Sequence, residues 1–272
     1  MITADLHTHT RYSHGKSGAR EMFAAGRQRG ITLHGFSEHS PRPDGYDYPS
    51  EYRTRLARAY PDYVREVLEL KEQHPAQILF GMEMDWMEAE TNFIRQAVSA
   101  YDFDYLIGSV HFVGTWGYDY DAADWKNLSF EQRAAHYERY FRILAGMAAS
   151  RLFNIAAHPD LIKIFSIDTF RQWLTRHDAL DLVRESLVAI RDAGMSMEIS
   201  SAGLRKPCKE IYPGPEIMRL AADLRVPVVF GSDAHQPADM AFAFDELARY
   251  AASFGIERGE CVIGGIPFIF PL

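Results

Sequence analysis

The chain has 272 residues, of which 47% are hydrophobic and 24% charged, a globular balance that argues against intrinsic disorder. The formal net charge of −8 argues against a broad basic face that grips nucleic acid. Apolar runs are strand-sized and far shorter than the ~20 residues that span a bilayer. Two distant cysteines and no secretory leader pattern predict a cytoplasmic protein without a disulfide framework.

Short apolar segments alternate with longer amphipathic segments along the chain, which is the pattern of β-α units. Predicted strands cover residues 2–6, 33–36, 78–83, 105–110, 153–157, 195–199 and 228–231. Predicted helices cover residues 19–29, 50–73, 89–100, 129–150, 179–193, 215–224 and 242–254. Seven such units predict a mostly parallel sheet closed into an α/β barrel, with a doubly wound open sheet as the alternative. No linker divides the chain, so we expect one domain over residues 1–272.

Several helix ends carry capping signals. Ser129 and Gln132 form a capping-box pattern, and Ser17 precedes the helix predicted at residue 19. Gly30, Gly194 and Gly255 follow predicted helices, where a left-handed residue is favoured.

Two further segments bear on the surface and the core. Residues 40–48 are rich in Pro and Gly and are expected to form a loop over the strand ends. Tyr137, Tyr140 and Phe141 are expected on the core face of their helix, with an oligomer interface as the alternative. The oligomeric state stays open.

Histidines and carboxylates follow the predicted strands one after another. In chain order they are His7, His9, Glu38, His39, Glu83, His111, His158, Asp233 and His235. Because the carboxyl ends of parallel strands meet at one mouth of a barrel, we expect these side chains to converge there. Four histidines lie outside this pattern, namely His34, His74, His136 and His177. His14 is ambiguous by spacing.

The tripeptides His-Thr-His at 7–9 and Asp-Ala-His at 233–235 share one spacing. Along an extended chain, residues i and i+2 project to the same side, so each pair can reach one metal ion. Imidazole and carboxylate together suit Zn, Fe or Mn. So many ligands exceed one tetrahedral ion and predict a cluster of two or three, with Glu83 as a bridging carboxylate. Such a cluster generates hydroxide near neutral pH, as phosphoester or amide hydrolysis requires.

Each residue alone also has a structural interpretation, since a single histidine near a strand end more often packs than binds metal. Glu38 is either an ion-pair partner or an orienter of a histidine. Arg205 and Lys206 follow the sixth strand and Lys163 follows His158, so these cations are expected near the mouth to bind a phosphate. The alternative is that Lys163 and Lys206 are solvated surface charges.

The ordered motifs resemble those of the polymerase and histidinol phosphatase (PHP) superfamily over nearly the whole chain. They are Asp-Leu-His-Thr-His at 5–9 continuing to His14, Glu38-His39, Glu83, Gly-Ser-Val-His at 108–111, His158-Pro159 and Ser-Asp-Ala-His at 232–235. Segments 108–112, 158–161, 202–206 and 210–213 resemble the monofunctional histidinol-phosphate phosphatases of this superfamily.

The resemblance implies a distorted (β/α)7 TIM-like barrel with three divalent ions (Zn, Fe or Mn). Its ligand pattern implies one metal held by His7, His9, Glu83 and Asp233, a second by Glu83, His111 and His158, and a third by His14, His39 and His235. Many members carry Asp where His14 stands here.

The implied reaction is hydrolysis of L-histidinol phosphate, a late step of histidine biosynthesis, by a hydroxide that bridges two metals. Asp233 would accept the hydroxide's proton, Glu83 would bridge, and Arg205, Lys163 and Lys206 would bind the phosphoryl oxygens.

For the amine and imidazole of this substrate, candidate partners are Asp44, Tyr46, Trp116 and Asp119. Two alternatives remain at this point: a PHP phosphoesterase for another small phosphomonoester or nucleotide, and a non-catalytic metal-stabilised accessory module. The complete ligand set argues against the second.

Overall fold

The computed structural model describes residues 1–48 and 51–272. Its strands are β1 (Ala4–Asp5), β2 (Leu33–His39), β3 (Ile78–Asp85), β4 (Tyr105–Ser109), β5 (Phe112–Val113), β6 (Trp116–Gly117), β7 (Ile155–Ala156), β8 (Ser196–Ser200), β9 (Val228–Gly231), β10 (Arg258–Ile263) and β11 (Ile266–Pro271). Its α-helices are α1 (Ala19–Gln28), α2 (Tyr52–Gln73), α3 (Thr91–Val98), α4 (Phe130–Ala149), α5 (Ile167–Leu174), α6 (His177–Asp192), α7 (Ala202–Arg205), α8 (Pro215–Asp223) and α9 (Phe244–Ser253).

Seven parallel strands form one sheet that closes on itself. The sheet order is β1-β2-β3-β4-β7-β8-β9. Its two outer strands meet through a parallel bridge between Thr8 and Ala234. There the His9 amide donates to the Ala234 carbonyl (2.9 Å). The buried Asp5 carboxylate reinforces the closure by accepting hydrogen bonds from the amide (3.0 Å) and hydroxyl (2.6 Å) of Ser232. The predicted barrel is confirmed, and the open doubly wound sheet is wrong.

All seven predicted barrel strands are present; β9 has its predicted bounds, and the other six have shifted ends. β2 runs three residues past its predicted end, so Glu38 and His39 belong to the strand. Helix α2 begins at Tyr52, whereas Ser50, where its start is predicted, lies outside the described residues. The helix predicted at 89–100 is a 3-10 turn followed by α3. The sequence prediction lacks α5, α7 and the hairpins β5–β6 and β10–β11.

The capping predictions hold with one correction. Ser129 forms the capping box with Gln132 at the start of α4. Gly30, Gly194 and Gly255 have φ of +84°, +75° and +77°, as a left-handed residue after a helix requires. The residue that caps α1 is Gly18, not Ser17.

The core lies on both sides of the sheet. Tyr137, Tyr140 and Phe141 are at most 1% exposed, which confirms their core placement. Inside the barrel, hairpin β10–β11 contributes Cys261 and Phe270 to an apolar cluster, which lies at the end away from the carboxyl ends of the strands. Cys208 and Cys261 are both buried and unpaired. Within the described ranges, none of the helices has the length and apolar character to cross a membrane.

Candidate metal centre

Eight of the predicted metal ligands converge at the carboxyl ends of the strands. Their ligand atoms form four overlapping groups, and the atoms within each group lie within 4.8 Å of one another. The groups are His7, Glu83 and His158; His7, His9 and Asp233; His39, Glu83 and His111; and His9, His39 and His235. Each group pairs imidazole nitrogens with carboxylate oxygens or with further imidazoles, which is a donor set for Zn, Fe or Mn.

Glu83 lies at the centre of this arrangement, with its two oxygens facing different histidines. Oε2 is 3.3 Å from His7 Nε2, 3.4 Å from His9 Nε2 and 2.8 Å from His39 Nδ1. Oε1 is 3.1 Å from His158 Nε2 and 3.6 Å from His111 Nε2. Each oxygen of Glu83 would therefore be able to hold a separate ion together with its own histidines.

Several converging ligand atoms have no hydrogen-bond partner in the described protein. They are Nε2 of His7, His9 and His235, both ring nitrogens of His39, and Oε2 of Glu83. Buried polar atoms are normally paired, because leaving one unpaired costs roughly 1–3 kcal/mol. All of these atoms belong to residues of the four groups, so divalent ions fit this site.

His14 lies beside the ligand groups but outside all four. Its ring centroid is 4.0 Å from that of His235 and 5.0 Å from that of His39. Its Nδ1 is 3.2 Å from the hydroxyl of Tyr52 on α2. The ring is therefore next to the group formed by His9, His39 and His235.

A second layer of carboxylates orients the ligands. His9 Nδ1 donates to Glu38 (3.2 Å), so Glu38 acts as an orienter of a histidine. His111 Nδ1 donates to Asp85. Glu198 accepts from His7 Nδ1 through one oxygen and from the backbone amide of His158 through the other, each at 2.8 Å.

Asp85 and Glu198 are absent from the sequence prediction. Asp85 stands two residues after Glu83 on the same strand, so the two side chains share a face. Glu198 stands inside the apolar strand β8 and is fully buried. A lone carboxylate within a buried strand was the signal that would have identified it.

Two ligands have left-handed backbones, which cost free energy for residues other than glycine. Asp233 has a φ of 49°, and His158 has a φ of 20°. Close packing at Gly231 adds a further constraint. A Cβ added there would lie 1.9 Å from Glu198 Oε1, so this position excludes side chains.

Burial and neighbouring charge divide the histidines by pKa. Burial lowers the pKa of His9 and His111, but carboxylates (Asp233 and Glu38 for His9; Glu83 and Asp85 for His111) outweigh it and raise each pKa to about 9. Burial, together with the neighbouring imidazoles, lowers the pKa of His14 to about 2 and that of His235 to about 3.

The pKa values of two carboxylates in the cluster are lowered. Burial would raise the pKa of Glu83 and Asp233, yet the surrounding imidazoles hold both well below their usual range. Both are therefore anionic at neutral pH.

A cavity of about 340 Å³ opens above this cluster. This volume lies within the range of small-molecule sites. Its walls add Tyr48, Tyr52 and Tyr120 to the metal-binding side chains, and Arg55 and Lys206 supply cationic groups. Tyr48 belongs to the predicted loop 40–48. Arg55 on α2 is a cavity residue that the sequence analysis missed.

Arg205 and Lys163 do not line this cavity. Arg205 Nη2 donates to the carbonyls of Ser232 (2.7 Å) and Asp233 (3.0 Å), while its Nη1 is buried without a partner among the described residues. Lys163 is fully buried and donates to Asp160 (2.6 Å), Glu210 (2.8 Å) and the Ile211 carbonyl (3.0 Å).

These placements change the roles expected for the two lysines. The three hydrogen bonds of Lys163 use all three N–H bonds of its ammonium, so the sequence-based expectation of a phosphate contact is replaced by a buried ion-pair role. It is not a solvated surface charge either. Lys206 lines the cavity, where a phosphate contact is possible.

Of the four candidates for the amine and imidazole of the substrate, one lines the cavity. Asp119 is on its wall. The Asp44 side chain is 93% exposed and pairs with Arg53. Tyr46 is buried in the core. Trp116 donates to Asp124 (3.3 Å).

Comparisons with known proteins agree with this architecture. The PHP domain model matches residues 5–202. The chain is 31% identical over 261 residues to "Probable histidinol-phosphatase" of Deinococcus radiodurans, covering 92% of this chain and 93% of that protein. It is 29% identical to the histidinol-phosphatase of Bacillus subtilis, covering 90% and 98%.

A solved structure shares the fold. The histidinol phosphate phosphatase of Lactococcus lactis, crystallised with zinc, L-histidinol and phosphate, superposes with a TM-score of 0.75 at 18% identity. The match covers 98% of this chain and 99% of that protein. The family model spans most of the chain and the two relatives are similar along nearly their whole lengths, so this protein belongs to the PHP domain family.

Proposed function

We propose that this protein is a histidinol-phosphatase that hydrolyses L-histidinol phosphate to L-histidinol and phosphate in the cytoplasm. The relatives from D. radiodurans and B. subtilis bear that name and match over nearly their whole lengths. The observation that carries the proposal is the convergence of unpaired imidazole nitrogens around Glu83 at the floor of the cavity.

The proposed metal ligands are His7, His9, His14, His39, Glu83, His111, His158, Asp233 and His235. When bound, divalent ions would supply Lewis acidity, which lowers the pKa of water and neutralises phosphoryl charge. The implied first set shares His7, His9 and Asp233 with one observed group, whereas His111 and His158 fall in separate groups with Glu83. The implied third set has His14 where the observed group has His9 beside His39 and His235. Glu83 belongs to two groupings through its separate oxygens.

The remaining roles belong to side chains around the reacting phosphate. Asp233 is anionic and lines the cavity, so it would accept the proton of the attacking water. Arg205 lies outside the cavity wall and would hold the backbone of Asp233, so its role would be to position Asp233. Lys206 and Arg55 would complement the charge of the phosphate at the cavity wall.

The decisive experiment assays purified protein on L-histidinol phosphate and on generic phosphomonoesters, with bound metal quantified in the same sample. We expect strong preference for L-histidinol phosphate and loss of activity on chelation. His158→Asn removes a proposed metal ligand, so kcat/KM should fall at least ~100-fold, which is the largest loss typical of changing a residue that only orients a ligand. His177→Asn, on an exposed helix start, is the matched control.

Weak and equal activity on all phosphomonoesters, with metals bound, would contradict the proposed substrate. Full activity after complete metal removal would contradict the proposed chemistry.

A further inference from the structure

The cavity contains one carboxylate that the metal groups do not use. Three acidic residues line it, and Glu83 and Asp233 belong to the metal-binding groups. The third, Asp119, lies beyond β6 on the loop that leads toward α4. In the described part of the chain, no lysine or arginine forms an ion pair with it.

Asp119 is held in place by an aromatic wall. Its Oδ1 accepts a hydrogen bond from the Tyr48 hydroxyl (2.8 Å). The Tyr48 ring stacks on the Tyr120 ring with centroids 5.1 Å apart. The guanidinium of Arg42, which forms an ion pair with Asp85, lies 4.5 Å from the centroid of the Tyr48 ring. The carboxylate is therefore fixed in direction while its other oxygen remains available to a ligand.

These contacts define a subsite for a cation. A carboxylate without a basic partner attracts an ammonium group by charge-assisted hydrogen bonding. The metal-binding floor and Lys206 suit the opposite charge, a phosphate. A ligand that carries both groups would satisfy both parts of the cavity.

We propose that Asp119 is a specificity-determining residue that binds the protonated amine of the substrate, so that the enzyme selects amine-bearing phosphomonoesters. The inference rests on the phosphomonoester hydrolysis proposed above. It assigns recognition of the leaving group to Asp119, which the Tyr48 hydroxyl holds in place, apart from the residues that act on phosphate.

The test compares O-phosphoethanolamine with ethyl phosphate, which differ by the amine, and adds L-histidinol phosphate. Metal-loaded wild type, Asp119→Asn, Tyr48→Phe and Asp121→Asn are assayed after circular dichroism and metal analysis. Asn keeps the hydrogen bond from Tyr48 but removes the charge. Asp121, an exposed helix cap two residues away, provides the matched control because Asn also caps helices.

We expect Asp119→Asn to lower the kcat/KM ratio of phosphoethanolamine to ethyl phosphate by about tenfold or more, mainly through KM. Tyr48→Phe should lower it less, and Asp121→Asn should leave it unchanged. Asp119→Asn should also lower kcat/KM for L-histidinol phosphate by a similar factor.

The outcomes separate the two proposals. The role of Asp119 is overturned if wild type shows a kcat/KM ratio of phosphoethanolamine to ethyl phosphate near one, or if Asp119→Asn preserves the wild-type ratio. This holds even if L-histidinol phosphate is the preferred substrate. A ratio that collapses in Asp119→Asn, with no preference for L-histidinol phosphate over phosphoethanolamine, supports the subsite and overturns the proposed substrate.

Discussion

At the scale of single residues, Glu198 controls two ligands at once. One of its oxygens fixes the tautomer of His7, and the other holds the backbone of His158 in its unfavourable conformation. Gly231 lies against it because no side chain fits there. The geometry of the metal centre therefore depends on residues that bind no metal.

Glu198→Gln tests this dependence. The amide retains the size of the side chain but carries no charge and accepts through one oxygen only, so His7 or His158 loses its partner. We expect a ~10–100-fold loss of metal affinity, measured by titration calorimetry on protein stripped of metal. Glu185→Gln, on the exposed face of α6, is the control. An unchanged affinity would contradict an orienting role.

The pKa values of His9 and His111 predict how metal binding depends on pH. Each pKa is raised to about 9, so both rings are protonated in the metal-free protein at neutral pH. Because a bound metal displaces these protons, apparent affinity should rise between pH 6 and 8, with roughly one or more protons released per protein at pH 7. Calorimetry in buffers of different ionisation enthalpy measures the release.

The same shifts predict a stability effect in the metal-free protein. Both folded pKa values exceed the unfolded value of ~6.5, so this contribution is fully present below that pH and is lost as pH rises through about 9. Both predictions fail if metal affinity is independent of pH between 6 and 8, since the rings of His9 and His111 would then already be neutral in the metal-free protein.

The sequence identified metal ligands more completely than the residues around them. Ligands follow strand ends in a regular order, which a single chain reveals. The roles of Lys163 and Asp119 depend on which loops meet above the barrel, and spacing along the chain carries no such information. Lys163 close to His158 therefore suggested a phosphate contact, although two of its three partners, Glu210 and the Ile211 carbonyl, come from a loop far along the sequence.

At the scale of elements, the strands were easier to predict than the segments between them. The barrel strands are buried on both faces and most of them contain runs of apolar residues, so their sequences are distinct. The hairpin β10–β11 was missed because it lies across the end of the barrel and alternates only partly. Helix α5 was missed because its eight residues carry too short an amphipathic pattern.

Lys163 joins two of these connecting segments. It links the 3-10 turn Leu161–Lys163 after β7 to Glu210 in the loop after β8. Lys163→Met would leave the buried carboxylate of Asp160 without this partner, while the partly exposed Glu210 would keep Arg171. We expect a loss of about 3–5 kcal/mol in the free energy of unfolding, measured by urea denaturation. Lys126→Met, at an exposed site, should change it little.

Enzyme kinetics distinguish this buried ion-pair role of Lys163 from a contact with phosphate. If Lys163 contacted phosphate instead, Lys163→Met would raise KM while the free energy of unfolding stayed near that of wild type.

At the scale of the whole molecule, the metal groups join distant parts of the chain. His7 and His9 follow β1, while Asp233 and His235 follow β9, and these four residues share overlapping groups. Metal binding should therefore stabilise the closed barrel as a unit. We expect chelation to lower the melting temperature by several degrees, with recovery on adding Zn or Mn, measured by scanning fluorimetry. Equal melting temperatures with and without metal would contradict this coupling.

The bond between Ser232 and Asp5 also bears on how the protein is made. The two residues are 227 positions apart, so the barrel cannot close before Ser232 has been synthesised. His7 and His9 leave the ribosome long before that moment, when Asp233 and His235 of their groups have not yet been synthesised. The metal centre can be completed only after His235 has been synthesised, and products truncated before this residue should lack its activity.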